Sequence, residues 1–179
     1  FIAFTISLYN FLGFTFWKNS DVWKCKPGTD RKIKLYDKVK KVLKRKHAIS
    51  TSLAITFTKL NQIIRGWINY FRIGSMKIKL KNIDEHLRTM IKVIIWKQWK
   101  TPQKREWGLK KLGIDKDRAR QTAYMGDHYQ FICLKLCVRN AISKEILVKR
   151  GLVDPLDYYL QQKDKVSSTE RTAQCRTAC

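Results

Sequence analysis

Apolar residues recur at helical spacing along most of the chain, most clearly in the stretch LNQIIRGWINYFRIG, residues 60–74. Winding this stretch at about 100° per residue gathers the apolar residues on one face, as in an amphipathic helix that packs on a core. The apolar face consists of Leu60, Ile63, Ile64, Trp67, Ile68 and Phe71, whereas Arg65, Asn69 and Arg72 lie opposite and Tyr70 lies on a flank.

The same pattern predicts the other helices. The helix that contains residues 60–74 is expected over 50–74, with Ser50 as its N-cap and Gly74 as its end. A basic helix with a narrow apolar stripe is predicted over 30–47, and a third helix over 82–100, where Asn82 and Glu85 resemble a capping box. A further helix is predicted to begin at Pro102, directly after Thr101, and two more are predicted over 115–125 and 131–149. An ordered extension, GLVDPLDYYL, is expected to follow the last of them.

The N-terminal residues have a different pattern. FIAFTIS and FLGFTFW are short runs rich in β-branched and aromatic residues, which predicts two strands joined by a turn at residues 8–10. These runs are too short and too interrupted for a membrane span and lack the features of a signal peptide, so we expect no membrane partner and a cytoplasmic location. Residues 18–28 are predicted to form a linker, and the residues after Gln162 a disordered tail. Because the chain begins without Met inside a predicted strand, we expect it to be the back end of a larger protein.

Charge indicates the class of partner. The chain has 38 Lys and Arg residues against 14 acidic residues, which gives a formal net charge of +24. This excess favours a polyanionic partner, with nucleic acid as the leading candidate. The chain also contains 6 Trp, 7 Tyr and 8 Phe residues. Cations that meet phosphates, together with aromatic rings that stack on bases, suit RNA or single strands.

The cysteines and the acidic residues indicate no metal or catalytic centre. The five cysteines are odd in number and form no C-x-x-C motif, so we expect reduced thiols, with Cys133 and Cys137 filling a core.

Two alternatives stay open for Trp96 and Trp99, which fall beside cations on the side of the third helix opposite its core face. They are either exposed for stacking on bases or covered by the helix that begins at Pro102.

Three sequence stretches resemble one family. LNQIIRGWINYFRIG and the later IIWKQWKTP are very similar to the maturase-specific domain (domain X) of group II intron reverse transcriptases. FLGFTFWKN resembles the last strand region of the reverse-transcriptase palm, and RGLVDPLDYYL resembles the ending that follows the DNA-binding region. The resemblance covers most of the chain, from about residue 11 to residue 160.

This resemblance implies a mainly α fold. A short N-terminal β-hairpin from the palm would precede a three-helix thumb/maturase bundle and a smaller helical C-terminal region. The implied divisions are 1–27 for the end of the palm and a linker, 28–100 for the thumb and domain X, 101–162 for a helical DNA-binding-like region, and 163–179 for the disordered tail.

The resemblance also implies partners and an activity. The family binds structured group II intron RNA, assists its splicing and mobility, and copies RNA into DNA, so the implied partners are intron RNA, target DNA, and an upstream palm and fingers domain. This chain has no Y-x-D-D motif for the paired carboxylates that hold Mg²⁺ during polymerisation, so we expect no polymerase activity from it alone and no cofactor in it. Mg²⁺ is implied only for the full-length polymerase.

The RNA-binding candidates are cations, polar residues and aromatics of the three bundle helices: Lys34, Lys38, Lys41, Lys44, Arg45, Arg65, Asn69, Tyr70, Arg72, Arg88, Lys92, Trp96, Lys97, Trp99 and Lys100. The candidates for weaker DNA binding follow in the chain: Lys104, Arg105, Lys110, Lys111, Arg118 and Arg120. The alternative function is that of a generic basic protein that binds and compacts nucleic acid without preference for an intron.

Overall fold

The structure is a computed structural model that describes residues 9–19, 22–126 and 128–165. It begins with a three-stranded antiparallel sheet in the order β1-β2-β3, formed by Tyr9–Phe11, Phe14–Asn19 and Val22–Pro27. Helices follow: α1 Thr29–Val42, α2 Arg45–Ala48, α3 Leu53–Phe71, α4 Lys77–Gln98, α5 Pro102–Lys111, α6 Lys116–Ala123, α7 Tyr129–Leu134, α8 Leu136–Ala141 and α9 Lys144–Lys149. A last helix, α10, spans 155–165. The prediction of a mainly α fold with a short antiparallel β element at its N-terminal end is confirmed.

The sheet differs from the predicted hairpin. The predicted first strand, 1–7, lies outside the described residues, and the predicted turn at residues 8–10 is wrong because Tyr9 and Asn10 belong to β1. The chain turns instead at Leu12 and Gly13, both with positive φ, as a two-residue hairpin turn requires. The predicted linker over 18–28 is also wrong, since most of it forms β3 in register with β2.

The core lies between α1, α3 and α4. The apolar stripe of α4 repeats every three or four residues, and its side chains belong to the same buried core as those of α3. The burial of the α3 side chains confirms most of the predicted stripe of that helix. Trp67 lies at the edge of the core, partly buried. The buried side chains of α3 are Thr56, Phe57, Leu60, Ile64, Ile68 and Phe71, and those of α4 include Leu80, Ile83, Leu87, Ile91, Ile94 and Trp96.

Three predicted helix boundaries are corrected. The helix predicted over 30–47 is broken after Val42 into α1 and α2. The N-cap of α3 is Ser52, whose Oγ accepts a hydrogen bond from the Ile55 N–H at 3.4 Å, whereas the Ser50 hydroxyl donates to the carbonyl of His47. The third helix begins at Lys77 and not at Asn82, so the predicted capping box lies inside α4.

The C-terminal part contains shorter helices than predicted. Thr101 and Asp115 cap α5 and α6, which begin where the sequence predicts helices to begin. The helix predicted over 131–149 is wrong: extended backbone at Lys135 and Ser143 divides it into α7, α8 and α9. Gly151 ends α9 with a φ of 97°, a backbone conformation that favours glycine. The ordered extension is confirmed, and α10 continues past Gln162 to residue 165, into the predicted disordered tail, whose remainder lies outside the described residues.

Candidate nucleic-acid interface

Helix α1 carries a row of exposed cations. Its residues Leu35 and Val39 are buried in the core, so the other faces of the helix are available to solvent. Lys34, Lys38 and Lys41 are exposed and are spaced four and three residues apart, which places them one above the other on one face. This face can meet successive phosphates along a nucleic-acid strand.

A cleft of about 410 Å³ separates this face of α1 from α3. Arg31, Lys34 and Lys38 form its cationic wall, and the residues of α3 that form the opposite wall are Gln62, Ile63, Gly66, Trp67, Tyr70 and Phe71. Gly66 widens the cleft, because a Cβ at this position would meet no atom within 4 Å. The Trp67 Nε1 atom is buried and has no hydrogen-bond partner among the described residues. The cleft therefore brings phosphate-binding cations opposite aromatic rings.

Tyr70 is held in place yet exposed. Its ring stacks on Phe14 of β2 at a centroid distance of 6.0 Å and meets the edge of Phe71 at 4.7 Å. Its hydroxyl donates a hydrogen bond to the Leu12 carbonyl at 3.0 Å, and 56 % of the residue stays exposed. A fixed, exposed ring can stack on a base without losing much side-chain entropy on binding.

Arg65 and Asn69 of α3 face the C-terminal segment, which we define as residues 151–165. Oδ1 of Asn69 accepts a hydrogen bond from the Tyr158 hydroxyl at 3.1 Å, and the Arg65 guanidinium lies 5.6 Å from the centroid of the Tyr158 ring. Arg72 is exposed just past the end of α3. The structure thus places Tyr70 in the cleft but Arg65 and Asn69 against the C-terminal segment, and their contacts with RNA remain predictions.

The predicted stacking role of Trp96 is corrected. Trp96 is 0 % exposed, and the Arg105 guanidinium of α5 lies 5.4 Å from the centroid of its ring. Trp99 is partly buried against Gly108 of α5. The helix that begins at Pro102 therefore covers both tryptophans, in agreement with the second of the two alternatives.

The predicted DNA contact of Arg105 is also corrected. The residue is only 6 % exposed, and its guanidinium lies between the rings of Trp96 and Tyr129, 5.4 and 5.7 Å from their centroids. Its cation thus packs inside the protein, where it attaches α5 to α4.

The remaining candidates divide into exposed and engaged side chains. Arg88 forms an ion pair with Asp84 at 2.6 Å, Lys97 lies over the ring of Tyr129, and Lys92 is partly buried. The exposed candidates outside the cleft are Lys41, Lys44, Arg45, Lys100, Lys104, Lys110, Lys111, Arg118 and Arg120. Of these, Lys110 pairs with Glu106 at 3.3 Å and Lys111 lies over the ring of Trp107.

Arg31 and Gly66 are among the residues lining the cleft that sequence reasoning missed. Arg31 lies one helical turn before Lys34 and two before Lys38, so helical spacing alone could have placed it on the same face. Gly66 could have been recognised as a glycine in the middle of a helix, a position that costs stability unless close approach or open space requires it.

The described residues provide no metal centre of the kind that polymerases use. Across residues 9–19, 22–126 and 128–165, no three His, Cys, Asp or Glu side chains lie together where they could hold a metal ion. The described residues therefore do not fit the Mg²⁺ ions of a polymerase centre. None of the described helices is both long and apolar enough to cross a membrane.

Comparison with known proteins identifies the region that contains the cleft. The family model "Group II intron, maturase-specific domain" matches residues 33–113, from within α1 to just past the end of α5. No curated protein matches the chain. Nearly all residues of the α1–α3 cleft fall within the matched region. Residues 33–113 therefore have the sequence of a group II intron maturase-specific domain, and this match supports a group II intron maturase.

Proposed function

We propose that this chain binds structured group II intron RNA through the α1–α3 cleft, and that it thereby assists splicing and mobility of the intron without a catalytic centre of its own. The observation that carries the proposal is the cationic wall of Arg31, Lys34 and Lys38 facing Gly66 and Tyr70 across the cleft. The maturase-specific domain supports intron RNA as the partner.

The two walls would make different contacts. Cations of α1 neutralise backbone phosphates, and this supplies affinity that depends on salt and not on sequence. The exposed ring of Tyr70 stacks on an unpaired base, a contact worth about 1–3 kcal/mol. The open space above Gly66 lets a sugar or phosphate approach the backbone of α3. Because unpaired bases and irregular backbones occur in folded RNA, this combination favours structured RNA over regular duplex DNA.

The exposed cations of α5 and α6 would form a second, weaker surface. Lys104, Lys110, Lys111, Arg118 and Arg120 are exposed on two short helices that pack on each other. We propose target DNA as their partner, as the family resemblance implies. An upstream palm and fingers domain would complete the enzyme and supply the Mg²⁺-binding carboxylates.

The test compares two matched double variants of the full chain. Lys34→Gln with Lys38→Gln removes two cations that line the cleft, and Lys40→Gln with Lys59→Gln removes two exposed lysines of α1 and α3 that do not line it. Filter binding to group II intron RNA across a salt series gives the slope of log affinity against log salt. Two lost phosphate contacts should lower this slope by about 1.4–1.8 in the cleft variant, because each contact contributes roughly 0.7–0.9.

The control variant should keep a slope close to that of the unaltered chain. Equal losses of affinity and salt slope in both variants would show that RNA binding depends on total charge and not on the position of the lysines. The cleft would then not be the binding site. A shuffled RNA of the same length tests the alternative function. Equal affinity and slope for intron and shuffled RNA would identify a generic nucleic-acid compacting protein and overturn the proposal.

A further inference from the structure

A second cleft, of about 580 Å³, lies between α4 and the α8–α9 region. Four cations line it: Arg88 and Lys92 from α4, Arg139 from α8 and Lys144 from α9. Glu85 and Glu145 are the acidic residues along its rim. None of its lining residues belongs to the α1–α3 cleft, so it is a separate surface.

Two of the four cations are already neutralised. Arg88 pairs with Asp84 at 2.6 Å, and Lys144 pairs with the buried carboxylate of Asp154. Lys92 and Arg139 have no carboxylate within ion-pair distance in the part of the chain that the structure describes. Lys92 and Arg139 thus bring two cations without an ion-pair partner into the cleft from two different helices, while Glu85 and Glu145 supply negative charge in its lining.

Lys92 carries its charge in an unfavourable setting. The residue is partly buried, and burial lowers the pKa of its ammonium group, an effect that the nearby Arg88 and Arg139 guanidinium groups increase. A cation held among other cations in a partly desolvated cleft is stabilised when an anion enters. Asn140 also lines the cleft and provides a neutral hydrogen-bond donor.

We propose that this cleft binds one phosphodiester group of the bound RNA between Lys92 and Arg139. The inference rests on the proposed function, because it assigns a second contact to the same RNA. Arg139 can hold two phosphate oxygens through its planar fork, and the partly buried Lys92 acts as a point charge. Arg88 stays on Asp84, and Glu85 and Glu145 at the rim disfavour ligands with more negative charge than a single diester.

The first experiment again uses the full chain. Arg139→Gln, Lys92→Gln and the double variant are compared with Lys81→Gln plus Lys149→Gln, which removes two exposed cations of α4 and α9 outside the cleft. At about 0.1 M salt, loss of one phosphate contact weakens intron RNA binding by about five- to eightfold and lowers the salt slope by about 0.7–0.9. The double variant should lose no more than this, since both cations serve one phosphate. The control should lose less than twofold.

Arg139 is exposed, so Arg139→Gln tests the site even if Lys92→Gln disturbs folding. Wild-type affinity and slope in Arg139→Gln and in the double variant would overturn the inference. The proposed function would survive that result if Lys34→Gln with Lys38→Gln still weakened binding. Failure of the unaltered chain to bind intron RNA would overturn both.

A second measurement reports on the site directly. The pKa of Lys92, followed by NMR of its side chain, should rise when intron RNA is added, because a phosphate stabilises the charged ammonium group. Millimolar inorganic phosphate at constant ionic strength should leave that pKa unchanged. If inorganic phosphate raised the pKa as much as RNA does, the cleft would take free anions and the assignment to the RNA backbone would be wrong.

Discussion

The Tyr158 hydroxyl donates a hydrogen bond to Oδ1 of Asn69 at 3.1 Å, although 89 residues separate the two in the chain. This contact is one of several that fasten the C-terminal segment to α3. Asn61 donates to the Gly151 carbonyl at 2.7 Å and accepts from the Val153 N–H at 2.9 Å. The hydroxyl of the buried Tyr159 donates to the Gly74 carbonyl at 2.8 Å. The side of α3 that was expected to meet RNA thus also attaches residues far along the chain.

Asn61 should be a main attachment point of the C-terminal segment. We expect Asn61→Ala to lower the free energy of unfolding by about 1–3 kcal/mol, because it removes two hydrogen bonds to the segment, each worth roughly 0.5–1.5 kcal/mol. Urea denaturation followed by far-UV circular dichroism gives the value. Amide hydrogen exchange should show faster exchange at Val153, whose N–H loses its partner.

Thr58→Ala is the matched control for Asn61→Ala. Thr58 lies on the same helix, is exposed, and donates only to the carbonyl of Ala54 within the helix. Its replacement should change the stability by less than about 0.5 kcal/mol. Equal loss in both variants, or unchanged exchange at Val153 in Asn61→Ala, would mean that Asn61 does not hold the segment.

The helical bundle could be predicted from sequence because periodicity reports burial. The stripe of α3 was predicted almost completely, since each member of an amphipathic face lies three or four residues from the next. Strand β3 was missed because its lysines and Pro27 resemble a linker, and an exposed strand places few demands on composition. The break in the predicted helix at Lys135 was missed because no glycine or proline lies there to indicate it.

The candidate site was predicted less well, for a physical reason. Helical winding shows which residues of a helix share a face, but it does not show what packs on that face. Trp96 and Arg105 were both named as candidates for contact with nucleic acid, and for Trp96 burial under the next helix was left open; each covers the other across α4 and α5. The α1–α3 cleft depends on the distance between two helices, which no periodicity in either helix encodes.

Two helical glycines should respond to alanine in opposite directions. Gly66→Ala should raise the free energy of unfolding by about 0.5–1 kcal/mol, because alanine favours a helix and the added Cβ meets nothing within 4 Å. Gly108→Ala should lower it by about 1–2 kcal/mol, because the added Cβ would lie 2.7 Å from Cζ2 of Trp99, on a rigid indole ring. Thermal and urea unfolding of both variants measure the effects. Stabilisation by Gly108→Ala would show that Trp99 can move away freely.

The Lys144–Asp154 ion pair should make stability depend on pH. Burial alone raises the pKa of Asp154, but hydrogen bonds from Lys144, Asp157 and the Leu156 N–H outweigh it and lower the pKa below its ordinary value of 3.8. The hydrogen bond to Asp154 raises the pKa of Lys144 above 10.5. The stabilisation from Asp154 is therefore present above pH 3.8 and lost as the pH falls, and that from Lys144 is present below pH 10.5 and lost above its raised pKa.

Lys144→Gln tests this dependence. The change should cost about 1–3 kcal/mol at neutral pH, because it leaves a carboxylate that is only 8 % exposed without its cation. The difference from the unaltered chain should shrink as the pH falls below 3.8, where Asp154 becomes protonated. Lys149→Gln, an exposed position on the same helix, is the control. A loss that stays constant from neutral to acidic pH would contradict the role of the ion pair.

Cys133 should be the least reactive thiol among Cys25, Cys133 and Cys137. Burial raises the pKa of the Cys133 thiol to about 12, and the nearby Lys92 ammonium opposes this only in part. The thiolate is the nucleophile, so the thiol should remain unlabelled by iodoacetamide at pH 8 in the native state. Cys137 is only partly buried and should be labelled faster. Labelling followed by peptide mass mapping measures each site separately.

The labelling of Cys133 should also report on unfolding of the bundle. Because Cys133 lies in α7, which packs on α4, its labelling rate should rise only when these helices separate. Urea should therefore expose Cys133 at the same concentration that unfolds the bundle. Rapid labelling of Cys133 without urea would show that α7 opens independently of the bundle.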